Sequence, residues 1–99
     1  MNHTLFIYDK YKNLIIKPSF HKSRLDGDFL IVMSNRLETI YLKDTAKEML
    51  INTLNNITVD ELFQKFNQEY DIEEIILKSD IIDFIKDMQW KNIISLEKI

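Results

Sequence analysis

Leu42-Lys43-Asp44-Thr45-Ala46 is where one periodicity hands over to another with no linker between them. On its amino-terminal side, Leu37-Glu38-Thr39-Ile40-Tyr41-Leu42 alternates as a half-exposed strand does. On its carboxy-terminal side, Ala46, Met49, Leu50 and Leu54 recur at helical spacing and form one apolar stripe. A sheet that passes directly into helices defines an α+β chain, and the rest of the sequence can be placed around this junction.

Upstream, Phe29-Leu30-Ile31-Val32-Met33 is almost wholly apolar and reads as a central strand covered on both faces. Asp26-Gly27-Asp28 precedes it and contains the only glycine. Gly tolerates the positive φ of a tight hairpin, so Phe20 to Leu25 is expected to pair back onto it. With residues 37–42 the result is a three-stranded antiparallel meander over residues 20–42. Leu5 to Tyr8 and Leu14 to Ile16 are short β-favouring runs, expected as an extra amino-terminal hairpin within residues 1–18. Pro18 then breaks the chain because it cannot donate to a ladder.

Downstream, residues 44–91 read as three helices. The first runs from Asp44 or Thr45 to Leu54, with Thr45 and Glu48 at the spacing of a capping box. The second opens on Thr58-Val59-Asp60-Glu61, another capping box, and carries Leu62, Phe63, Phe66 and Tyr70 as a core stripe. The third begins between Asp71 and Glu74 and reaches Trp90, burying Leu77, Ile81, Phe84, Ile85 and Met88. Ile75, Ile76 and Ile82 lie beside that stripe and imply a wider buried face or a groove. Asn92 is expected as a left-handed cap, followed by a short tail or strand from Ile93 to Leu96. Trp90 reads as a lid on the core rather than a stacking residue. The architecture expected is winged helix-turn-helix-like, in one domain of 99 residues.

Composition excludes more than it selects. The chain has no cysteine, so disulfides, thiolate metal sites and cysteine nucleophiles are absent. His3 and His21 share no ligand spacing with an acid or with each other, which leaves them structural and leaves no metal site. Glu73-Glu74, and Asp80 with Asp83, could be imagined as acid–base pairs. Acids opening a helix are better explained by its dipole, and neither a nucleophile nor a phosphate loop accompanies them. No catalytic residue and no cofactor is expected. No apolar run is long enough to span a membrane, and the amino terminus lacks a signal pattern, so a cytoplasmic protein is expected.

The net charge is −3, but residues 58–83 hold eight acids against Lys65 and Lys78. A duplex-binding surface must cluster bases against phosphates, and the helical half has the opposite sign. The last strand of the meander, by contrast, carries Thr39, Ile40 and Tyr41 uncharged at its centre. Edge strands are ordinarily blunted by charge because they recruit other strands. An open edge beside a helix with spare apolar residues is the layout of β-augmentation, in which a peptide adds as a strand.

Five segments together resemble the PqqD-like family, the recognition elements for ribosomally made, post-translationally modified peptides (RiPPs). They are Phe29 to Met33, Leu37 to Tyr41, the junction Leu42 to Ala46, the opening Thr58-Val59-Asp60-Glu61-Leu62, and Asp80-Ile81-Ile82-Asp83-Phe84-Ile85; their order spans residues 20–94. The resemblance implies three strands packed on three helices and no catalytic residues. It implies a precursor leader peptide added against the third strand, with the third helix as the other wall. Carried over, Leu37, Glu38, Thr39, Ile40 and Tyr41 supply backbone pairing, while Ile75, Lys78, Ile82 and Lys86 contact leader side chains. The implied partners are the precursor peptide and a modifying enzyme such as a radical SAM enzyme or a leader peptidase, with no nucleic acid and no membrane. A homodimer through residues 1–18 is left open. Asn56 and Asn92 stand where the family commonly has Gly; Asn also tolerates left-handed geometry. The alternatives are a winged-helix DNA-binding regulator and an interaction adaptor with no peptide substrate.

Overall fold

The computed structural model describes residues 3–98. In chain order its elements are α1 (His3–Tyr11), β1 (Ile15–Pro18), β2 (Lys22–Asp26), β3 (Phe29–Met33), β4 (Thr39–Leu42), α2 (Asp44–Thr53), α3 (Val59–Glu69), α4 (Glu74–Trp90) and β5 (Ile94–Glu97). The α+β architecture expected from sequence is present: β2, β3 and β4 form an antiparallel three-stranded sheet, and α2, α3 and α4 follow it. Gly27, at φ 60°, makes the β2–β3 turn.

β3 is central, as expected, but only one of its faces is covered. Leu30 and Val32 are buried with Leu42 of β4, whereas Phe29, Ile31 and Met33 lie on the outer face, partly or fully exposed. The register brings Ile31 opposite Tyr41 and Met33 opposite Thr39 on that outer face. An antiparallel sheet can keep one face wetted in this way; the unbroken apolar run had pointed to coverage on both.

β4 is shorter than the expected strand because its first two residues belong to a turn. The buried Ser34 hydroxyl accepts the backbone N–H groups of Arg36 and Glu38, each at 3.2 Å. The Ser34 N–H in turn donates to the Glu38 carbonyl at 2.9 Å, and Leu37 sits at φ 64°. Leu37 and Glu38 are therefore held in a closed loop.

The helix ends follow local chemistry in two cases of three. At α3, Thr58 and Glu61 form the reciprocal capping box that their spacing predicts. At the end of α4, Asn92 is left-handed at φ 60°; the Ile93 N–H donates to the Met88 carbonyl and the Asn92 N–H to Gln89. This is a Schellman closure, and the buried pair Ile93 and Met88 supplies its hydrophobic contact. At α2, however, the box expected from Thr45 and Glu48 is absent. Lys43 is the N-cap without a side-chain bond, and Asp44 takes φ 54°, so Thr45 already lies inside the helix.

The amino-terminal hairpin is also not formed. Leu5 to Tyr8 lie in α1, where Tyr8 is buried against the ring of Phe63 at 5.7 Å and donates a 2.6 Å hydrogen bond to Asp60. Tertiary packing here overrides a weak local β preference. An extra pair of strands does exist, but it joins β1 to β5 near the opposite end of the chain, with Ile16 opposite Leu96. The segment ahead of β1 also satisfies the start of α3: Asp60 donates to the Lys12 carbonyl and Val59 to Leu14.

Candidate functional site

The sheet has two outer edges, β2 and β4, and they differ in chemistry. All five residues of β2 are exposed, and Lys22, Arg24 and Asp26 charge it. Such an edge resists pairing. β4 offers Thr39, Ile40, Tyr41 and Leu42 with no charge, and among the described residues no strand pairs with its outer side. In an antiparallel edge, alternate residues turn their N–H and C=O groups outward, ready for another strand.

A groove of about 430 Å³ runs beside this edge, between the end of β4, the start of α2 and α4. Leu42, Ala46, Met49, Phe84 and Met88 give it an apolar floor; Asp80, Asp83 and Asp87 stand on its α4 wall, and Thr45 faces them from α2. Further along, Arg36 and Glu38 before β4 and Gln89 to Asn92 at the end of α4 enclose a second hollow of about 450 Å³. The residues just before β4 thus lie near the end of α4, and the end of β4 lies beside Asp80 to Met88, so β4 and α4 run in opposite directions past the two hollows. From Asp80 to Trp90 that wall is about 15 Å long at helical rise, close to the reach of a strand of about five residues.

The α4 residues expected from the sequence do not line this groove. Ile75, Lys78, Ile82 and Lys86 share one flank, and the groove aspartates lie about 130° around the helix from it. Ile82 is buried in the core, at 4% exposure. The Lys78 ammonium sits 4.7 Å from the Tyr8 ring and 5.0 Å from the Phe63 ring, beneath α1. Ile75 is half-buried and Lys86 exposed. Thr39, Ile40 and Tyr41 lie on the β4 edge, and the α4 residues that line the groove are Asp80, Asp83, Phe84, Asp87 and Met88. Asp80 and Asp83 were visible in the sequence as a pair; Asp87 completes their stripe at i, i+3 and i+7.

Trp90 is also placed differently from expectation: it is 85% exposed and covers no core. Its backbone belongs to the last turn of α4 and its side chain borders the second hollow. Among the described residues Tyr8 is the one group whose acidity is clearly displaced. Burial, followed by the hydrogen bond to Asp60, pushes its hydroxyl well above the ordinary tyrosine range. That proton anchors α1 and lies outside the groove. The His3 side chain lies outside the described residues, while His21 is exposed and holds its place by backbone pairing to Met33. Among the described residues no three His, Asp or Glu side chains are gathered to hold a metal, and no helix is long and apolar enough to cross a membrane.

No family model and no curated protein matches the chain. Among solved structures it is similar to lasso peptide synthetase B1 complexed with the leader peptide, with a TM-score of 0.69. The superposition covers 84% of this chain and 98% of that one at 15% sequence identity. At that identity the likeness is one of fold.

Proposed function

We propose that this chain is a non-catalytic leader-peptide-binding module of RiPP biosynthesis, of the PqqD-like kind. It captures a precursor peptide by strand addition to β4 and presents it to a modifying enzyme or a leader peptidase. The observation that carries the reading is the uncharged, unpaired β4 edge lying beside an open groove. It does so in a fold shared with a protein solved in complex with a leader peptide. Backbone pairing along Thr39–Leu42 supplies sequence-independent affinity, and the groove reads side chains on alternate positions. Duplex DNA is a poor occupant, because Asp80, Asp83 and Asp87 line the wall that would face the phosphates.

The test is titration of the full chain with the leader segment of a precursor encoded beside it, followed by amide hydrogen exchange. Binding of about −8 to −12 kcal/mol, nanomolar to micromolar, is expected, with new protection concentrated on residues 39–42. Protection that appears elsewhere, with residues 39–42 unchanged, would overturn strand addition.

A further inference from the structure

We propose that the groove selects leaders whose docked strand carries Lys or Arg at alternate positions, with Asp80 and Asp83 as the residues that read them. This rests on the leader-binding reading and adds the charge of the substrate to it. The groove is defined independently of its acids, by the free backbone of β4 and the apolar floor of Leu42, Met49, Phe84 and Met88.

Charge around the two hollows is unevenly placed. Asp87 is already neutralised by Lys91 at 3.0 Å, whereas no base lies within ion-pair distance of Asp80 or Asp83 among the described residues. Two of the nearby lysines are turned elsewhere: Lys78 to the Tyr8 and Phe63 rings, and Lys43 towards Phe29 on the outer face of the sheet. β4 contributes no charge of its own. At the far end, Arg36 and Glu38 offset each other. The unbalanced negative charge therefore sits on the α4 wall beside the end of β4.

Geometry matches that charge to a strand. Successive acids on the helix are about 4.5 to 6 Å apart along its axis, and side chains on one face of a strand repeat about every 6.7 Å. Alternate residues of an added strand point to the helix side, so two of them meet Asp80 and Asp83 in turn. An apolar floor beneath an acidic rim suits Lys and Arg in particular, whose methylene stems bury while their charged heads remain at the rim. An acidic strand would set like charges against the wall.

The test selects random peptides of about 12 residues, displayed as a library, against the full chain and against Asp80→Asn/Asp83→Asn, an isosteric change at two exposed positions. Enriched peptides are expected to carry Lys or Arg two positions apart. The Asn variant, and a rise in salt from about 0.05 to 0.5 M, are each expected to weaken them about three- to tenfold. Amide NMR of each complex reports residues 39–42 and confirms that the variant is folded. Peptides that perturb residues 39–42 but carry no bases, or that bind the variant equally well, overturn the charge selection and leave strand addition standing. Peptides that perturb other residues only overturn both.

Discussion

The Lys78 ammonium lies 4.7 Å from the centre of the Tyr8 ring, so α1 packs against the flank of α4 that carries Lys78. Tyr8 is buried and tied to Asp60, so α1 is anchored over Lys78, while Lys86 further along that flank stays exposed. The opposite flank, with Asp80, Asp83 and Phe84, is left facing the β4 edge.

Lys78→Ala should therefore leave leader affinity within about twofold while lowering stability by about 0.5–1 kcal/mol, the scale of a partly exposed cation–π contact. Calorimetric titration alongside denaturant unfolding separates the two effects. A loss of affinity larger than tenfold with stability unchanged would return the binding flank to Lys78.

Phe84→Ala should have a different profile. Phe84 floors the groove and also belongs to the core, at 7% exposure. The variant is expected to lose about 2–4 kcal/mol of stability. Phe84→Leu keeps most of the buried volume, and should keep the fold while weakening leader binding, as titration of the folded variant would show.

Trp90 is the only tryptophan and is 85% exposed, so its fluorescence reports the second hollow directly. Leader binding along β4 should shift its emission to the blue and shield it from iodide. Trp90→Ala should change stability by no more than about 0.5 kcal/mol, since little of the side chain is buried. Unchanged emission at saturating leader would place the peptide short of the second hollow.

Stability should fall in alkali. The Tyr8 pKa is raised above its ordinary 10.0, by burial first and by the Asp60 bond second. Above pH 10 the unfolded chain releases this proton while the folded chain keeps it. The contribution of Tyr8 is then whole below about pH 10 and shrinks as pH rises beyond it. Tyr8→Phe should remove this part of the pH dependence, at a cost of about 1–2 kcal/mol near neutrality for the lost hydrogen bond. Denaturant unfolding at pH 7 and across the alkaline range measures both.

Asp44 stands at φ 54° where β4 turns into α2. Asp44→Val should destabilise by about 1–2 kcal/mol, because a β-branched side chain is strained in left-handed backbone, and Asp44→Gly should cost little. If the two variants melt alike, the left-handed geometry at this junction is wrong.

Local chemistry was legible in the sequence wherever neighbours along the chain settle the outcome. Thr58 caps Glu61, Gly27 turns β2 into β3, Asn92 closes α4, and the stripe from Leu77 to Met88 is buried, each within a few residues. The same reading made a capping box at Thr45, which fails because Asp44 enters the helix with positive φ. It also made Leu5 to Tyr8 a strand. Their β preference is weak beside the burial of Tyr8 against Phe63, a contact across more than fifty residues of chain that leaves no local trace.

The candidate site divides along the same line. The β4 edge was readable because the absence of charge from Thr39 to Tyr41 is a property of the strand itself. The wall opposite was not, because periodicity reveals which residues of α4 share a flank and is silent on which flank remains open. That choice fell to α1, which covers Lys78 and leaves Asp80 and Asp83 to the groove. The meander, the three helices after it and the uncharged edge are thus legible in the sequence alone. Which flank of α4 stays open beside the edge depends on where a distant helix finds room to bury its tyrosine.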